Sequence, residues 1–220
     1  MILQIANVLD SGMVTSLREA LIAEAGLFQP GAATAGWHAR AVKNNEQSAG
    51  PAARKAIAAV QEALLANAIF KAAARPKLLT GLLVSRYGPD MEYGLHVDDA
   101  LMGGIRTDLS FTVFLAEPET YDGGELVIEG NDGDNVIKLG AGAAVVYPST
   151  SLHRVAPVTT GERLVVTGWV RSLIRRADQR EVLFDLDQSI LQLRQAQAER
   201  SILDRILKTR ANLLRMWAED

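Results

Sequence analysis

Glu125-Leu126-Val127-Ile128-Glu129, Asn135-Val136-Ile137-Lys138-Leu139 and Ala143-Ala144-Val145-Val146-Tyr147 decide the fold of this chain. They are three short runs rich in β-branched and apolar residues, separated by Asp132-Gly133-Asp134 and Gly140-Ala141-Gly142, which are turn chemistry. Working outward, the same pattern predicts strands at Leu78 to Tyr87, Tyr93 to Val97, Asp108 to Leu115, Arg154 to Val158 and Arg163 to Val170. Gly88-Pro89-Asp90, Asp122-Gly123-Gly124 and Thr159-Thr160-Gly161-Glu162 punctuate them. About eight strands at such short spacing suit a double-sheet jelly roll better than a parallel α/β sheet.

The flanks change period. Ile2 to Val8 is apolar enough for an edge strand, and Asp10 or Ser11 can cap a helix to about Ala25 with Val14, Leu17, Leu21 and Ile22 on one stripe. Residues 26–50 are rich in Gly, Ala and Asn and read as loop, with one short strand near Trp37 to Val42. Pro51 suits a first helical turn, and the alanines from Ala52 to Ala74 favour helix, with Ile57, Val60, Leu64 and Leu65 continuing an apolar face. From Ser172 on, Leu183, Leu186, Ile190, Leu193, Ile202, Ile206, Leu213 and Leu214 predict two or three helices packed on the sandwich or on another subunit. The expected class is mainly β with flanking helices. Residues 1–76 form a helical and strand support, 77–175 a double-stranded β-helix core and 176–220 a helical extension.

At 220 residues the chain suits one domain, or one domain with an appended helical piece. Such a length buries roughly 70% of the unfolded surface without disulfide or structural metal. No cysteine is present, which excludes thiolate zinc sites, iron–sulfur ligation and a cysteine nucleophile. The start of the chain does not read as a signal peptide, and no run approaches the ~18 apolar residues of a membrane span. The expected location is the cytoplasm. A net charge of −3 without a dense Lys/Arg stripe counts against a nucleic-acid partner.

Three histidines occur, and two sit where a mononuclear iron site needs them. His96 and Asp98 are two apart, so on a strand they share a face. His153 follows 55 positions after Asp98 and opens another strand. Two neutral imidazoles and one carboxylate on one side of a metal leave the other positions open, as in non-haem Fe(II) oxygenases. His38 has no acidic neighbour in its loop-like stretch and is left out.

Arg163 comes ten residues after His153. A guanidinium binds a carboxylate in bidentate fashion and keeps its charge, so an inward-facing Arg163 would anchor a dicarboxylate whose other end chelates the metal. A surface salt bridge with Glu162 or Glu125 is the plain alternative. Alternation sends Arg154 to the face opposite His153. Val165, Thr167 and Trp169 share the face of Arg163; Thr167 can donate to the same carboxylate and Trp169 can wall the pocket, or both can simply pack. The Tyr87 phenol ends the strand leading to the metal loop and can hydrogen-bond a bound oxoacid.

With these residues in hand the chain resembles the bacterial PKHD-type hydroxylases, relatives of the prolyl 4-hydroxylase α-subunit catalytic domain among Fe(II)/2-oxoglutarate-dependent dioxygenases. The resemblance runs through Val42-Lys43-Asn44-Asn45, Arg86-Tyr87, Tyr93-Gly94-Leu95-His96-Val97-Asp98, Arg106-Thr107-Asp108-Leu109-Ser110 and Tyr121-Asp122-Gly123-Gly124-Glu125-Leu126. It continues through Tyr147-Pro148-Ser149, Ser151-Leu152-His153, Pro157-Val158-Thr159, Leu183-Phe184-Asp185-Leu186-Asp187 and Trp217. It implies that His96, Asp98 and His153 bind Fe(2+) and that Arg163 binds the 2-oxoglutarate C5 carboxylate, with Tyr87 and Thr167 at cosubstrate-contacting positions. The implied reaction uses O2, converts 2-oxoglutarate to succinate and hydroxylates an unactivated C–H bond, with L-ascorbate keeping the iron reduced.

A cupin-like metalloenzyme without an oxoacid keeps the three ligands but gives Arg163 no task. A jelly-roll binding module with a structural metal would need no open coordination positions. The substrate, a small molecule or a peptide, is not readable from sequence. Asp99, Arg106 and Trp169, with Asn44 and Asn45 of the 26–50 loop, are the candidates for its side of the pocket. The apolar C-terminal helices make a homo-oligomer an expectation.

Overall fold

Local capping and period-2 patterning account for most of the elements in the computed structural model, which describes residues 1–37 and 39–219. The chain opens with β1 (Leu3–Ile5) and α1 (Ser11–Ala23), whose first turn is capped where the Asp10 carboxylate accepts from the Met13 amide at 2.8 Å. Val14, Leu17 and Leu21 are buried; Ile22, expected on the same stripe, lies about 100° round the helix from Leu21 and is exposed.

The strand expected at Trp37 to Val42 does not form. Arg40–Val42 is a 3-10 turn, closed by the Val42 amide on the Ala39 carbonyl, and His38 lies outside the described residues. The extended pieces are β2 (Gln29–Pro30), β3 (Lys43–Asn44) and β4 (Glu46–Ser48), set by pairing with distant edges. The long alanine-rich helix is likewise two, α2 (Pro51–Ala66) and α3 (Ala68–Ala74), bent by 81°. Asn67 is extended there and caps α3 by accepting from the Phe70 amide, a role Asn prefers to a helix interior.

The strand region runs β5 (Pro76–Tyr87), β6 (Glu92–His96), the hairpin β7 (Leu101–Met102) and β8 (Ile105–Arg106), β9 (Leu109–Phe114), β10 (Tyr121–Gly123) and β11 (Leu126–Ile128). It continues with β12 (Asn135–Ile137), β13 (Ala144–Pro148), β14 (His153–Val155), β15 (Val158–Gly161) and β16 (Arg163–Ser172). The single strand expected at Arg154 to Val158 is divided at Ala156-Pro157: β14 pairs with β6 and β11, β15 with β10. Proline has no N–H for a ladder, so pairing stops there.

A seven-stranded antiparallel sheet, in the order β1-β13-β9-β16-β5-β4-β2, and a five-stranded one, β12-β11-β14-β6-β3, make the jelly roll. Alternation along the large sheet sorts its side chains. Val84, Phe111, Val113, Leu164 and Val166 pack under Leu17, Val60, Leu64 and Phe70 of the helices. Tyr87, Phe114 and Val165 point the other way, against Leu126, Ile128 and Val155 of the small sheet. Covered on both sides, β9 is buried at every position.

Two helices close the chain, α4 (Ala177–Gln195) and α5 (Arg200–Trp217). Leu183 and Ile190 are buried, and Asp187 is held between Arg75 of the core and Arg210 of α5. Beyond α5, the Glu219 amide donates to the Leu173 carbonyl at 2.8 Å. Among the described residues, no single helix is long and apolar enough to cross a membrane.

Candidate metal centre

Pairing of β6 with β14 sets His96 directly opposite His153, with ring centroids 4.3 Å apart. Asp98, just past the end of β6, turns its carboxylate to both rings: Oδ1 is 4.0 Å from His96 Nε2 and Oδ2 is 3.8 Å from His153 Nε2. The ligand atoms of the three residues lie within 4.8 Å of one another, and both histidines are buried.

The surroundings hold these groups in a form that could donate to a metal. His96 Nδ1 lies 2.8 Å from the Gly94 carbonyl and His153 Nδ1 3.0 Å from the Ser151 carbonyl. A carbonyl only accepts, so each Nδ1 carries the proton and each Nε2 keeps its lone pair. Burial, with His153 beside it, lowers the His96 pKa to about 4, so its ring is neutral at pH 7, as a ligand must be. Ser110 Oγ donates to Asp98 Oδ2 at 2.5 Å and lies 2.8 Å from Ser149 Oγ. The donor set fits Fe(II).

The three residues line a cavity of about 400 Å³ between the two sheets. Arg163, Tyr87, Thr167, Trp169 and Asp99 line it too. Arg163 is 1% exposed, sits over the Tyr87 ring with Cζ 5.0 Å from its centroid, and has Nε and Nη1 without a hydrogen-bond partner. It makes no ion pair among the described residues; Glu162 approaches Arg86 instead, at 3.7 Å. Arg154 faces away, 3.9 Å from Asp134.

Two substrate-side expectations are corrected. Arg106 is not on the cavity: its guanidinium donates to Asp108 (2.8 Å), to Glu219 (2.9 Å) and to the Ser172 carbonyl, because two carboxylates draw it to the far side of the hairpin. Asn44 also faces away, donating to the Asp90 carbonyl at 2.9 Å, while Asn45 lines the cavity.

Sequence reasoning passed over several neighbours. Tyr93 stacks on His96 at 3.6 Å and 15°, and the Lys43 ammonium lies 5.2 Å from the Tyr93 ring centroid while donating to Thr34 Oγ1 at 2.8 Å. Ser110 had a legible signal: with Thr112 it is polar at period two inside the fully buried β9. Lys43 had none, since its place depends on the pairing of β3 with β6.

Residues 82–171 match the 2OG-Fe(II) oxygenase superfamily, and residues 178–219 match the PKHD-type hydroxylase C-terminal domain. The chain is 55% identical over 221 residues to a PKHD-type hydroxylase of Maricaulis maris (strain MCS10), covering 100% of both. It is 50% identical over 224 residues to one of Parvibaculum lavamentivorans, again covering 100% of both. Among solved structures, a Pseudomonas putida prolyl-4-hydroxylase superposes with a TM-score of 0.56 at 24% identity, over 78% of this chain and 92% of that one, and shares the fold. Full-length identity at this level decides the family: the chain belongs to the PKHD-type hydroxylases of the 2OG-Fe(II) oxygenase superfamily.

Proposed function

We propose that His96, Asp98 and His153 hold one Fe(II), that Arg163, Tyr87 and Thr167 bind 2-oxoglutarate, and that the enzyme hydroxylates a C–H bond of a small molecule or peptide, releasing succinate. One observation carries this reading: a buried guanidinium with no ion-pair partner among the described residues shares a cavity with three converging candidate metal donors. A buried charge without a partner is costly, and an anionic cosubstrate removes that cost.

Iron, O2 and the oxoacid together supply the oxidation, with L-ascorbate as the reductant. The chain's own part is to bind and orient. The Gly94 and Ser151 carbonyls hold the two imidazoles in the ligand tautomer, and Ser110 holds the carboxylate in place. Arg163 fixes the cosubstrate from the large sheet while the two histidines stand on the small one.

Asp99 and Trp169 are the proposed substrate-side residues; the Trp169 indole N–H is buried without a partner. The solved relative named a prolyl-4-hydroxylase supports a prolyl side chain, free or in a peptide, as the first substrate class to try. Within the proposed division, 77–175 carries the chemistry, 1–76 supports it and 176–220 is the extension. No residue of α5 is fully buried, and its half-buried Leu203, Ile206 and Leu214 support self-association through that helix.

With Fe(II), O2 and 2-oxoglutarate the protein should release succinate, and His153→Ala should abolish release. Arg163→Ala should raise the 2-oxoglutarate KM by about tenfold or more, the scale of lost charge-assisted hydrogen bonds, with Fe(II) binding retained. Succinate release at the original rate from His153→Ala would sink the metal assignment, and an unchanged KM would remove Arg163 from the site.

A further inference from the structure

Strand register puts Asn45, Tyr87 and Arg163 in one lateral row. Arg163 is paired with Tyr87 between β16 and β5, and Glu46 with Arg86 between β4 and β5. Continued by one residue, that register sets Asn45 beside Tyr87. Laterally adjacent residues point to the same face of a sheet, with strands about 4.8 Å apart, and all three line the cavity.

Asn45 is 4% exposed, and neither its amide nitrogen nor its amide oxygen has a hydrogen-bond partner among the described residues. Burial raises the pKa of the Tyr87 phenol, and Arg163 and the nearby Asn45 amide oppose that rise only in part, the amide lying beside the hydroxyl without reaching hydrogen-bond geometry. The next polar row makes a contrast, because it is satisfied internally: Thr34 Oγ1 lies 2.7 Å from Gln47 Oε1, and Gln47 Nε2 donates to Ser85 Oγ at 3.3 Å. Nor can the Asn45 amide retreat. Gly31 lies against it, donating its N–H to the Asn45 carbonyl at 2.7 Å, and a Cβ on Gly31 would fall 2.0 Å from Asn45 Oδ1. Buried amides without partners are rare in native proteins and point to an absent acceptor or donor.

We infer that the Asn45 side-chain amide donates a hydrogen bond to the distal carboxylate of bound 2-oxoglutarate, completing a row of amide, phenol and guanidinium beside β5 and β16. This rests on the cosubstrate reading above. The amide adds a neutral donor to a charged acceptor, whose hydrogen bonds are the stronger kind.

Anaerobic, Fe(II)-loaded protein titrated calorimetrically with 2-oxoglutarate, and separately with 2-oxobutyrate, tests it. Asn45→Ala should weaken 2-oxoglutarate binding about tenfold. Asn45→Asp should weaken it further, because a second carboxylate then faces the first. 2-Oxobutyrate has no distal carboxylate and should bind Asn45→Ala like the original protein. Asn44→Ala, whose side chain faces away, should bind both ligands normally. Since the Asn45 side-chain amide has no hydrogen-bond partner among the described residues, Asn45→Ala should melt at the original temperature without ligand and gain less on adding 2-oxoglutarate. Full 2-oxoglutarate affinity in Asn45→Ala, with affinity lost in Arg163→Ala, overturns this inference and leaves the cosubstrate reading standing. Full affinity in both variants overturns the cosubstrate reading as well. Equal weakening of both ligands also overturns the inference, by moving Asn45 to the oxoacid end.

Discussion

Lys43 carries an ammonium in a place that favours the neutral amine. Burial lowers its pKa to about 8, Asp98 opposes that only in part, and no carboxylate lies within ion-pair distance among the described residues. The folded chain therefore holds this proton less tightly than the unfolded chain, whose lysine keeps the ordinary 10.5. Stability from this group rises as pH climbs from about 8 to 10.5, and the cost is fully present below about 8. Lys43→Met should accordingly stabilise the metal-free protein at pH 7 by on the order of 1 kcal/mol after allowance for solvent screening. The gain should fade towards pH 10.5 in melting curves taken across that range; a gain independent of pH would assign it to packing.

Among the elements, β5 and β16 hold the site's long wall, and they are joined through a bulge. Thr167 faces Leu83 and Trp169 faces Thr80, so two residues of β5 stand against Gly168 alone. Gly81 takes φ +62° there, and a Cβ on it would lie 2.8 Å from Trp169 Cε3. The left-handed backbone costs a non-glycine residue roughly 1–2 kcal/mol, and forcing the indole aside adds about 1–3 kcal/mol. Gly81→Ala should therefore lower the melting temperature and shift Trp169 fluorescence, with Arg163, at the other end of β16, left in place. An unchanged melting temperature would show that the bulge relaxes without strain.

For the molecule as a whole, one acidic side chain ties both C-terminal helices to the jelly roll. Asp187 accepts from Arg75, which is 9% exposed and also donates to the Leu183 carbonyl at 3.1 Å, and from Arg210 of α5. Removing the acid leaves a buried guanidinium uncompensated, a change that costs about 3–5 kcal/mol. Asp187→Ala should shift the denaturant midpoint accordingly; a loss under about 0.5 kcal/mol, the scale of a surface change, would make the tie ornamental.

The sequence by itself determined the main strands of the core, the capped α1, the jelly-roll class and the three residues that converge at the candidate metal centre. Most of this is written in local spacing: period two along a strand, a cap before a helix, and His96 and Asp98 two residues apart, with His153 opening a later strand. Tertiary structure alone decided which other polar groups share the cavity. Asn45 and Lys43 are inside and Asn44 and Arg106 outside, although all four lie in stretches of similar polarity. The physical reason is that their positions follow from lateral register between strands far apart in the chain, and from partners such as Glu219 that compete for the same side chain. Neither leaves a trace in the order of residues nearby.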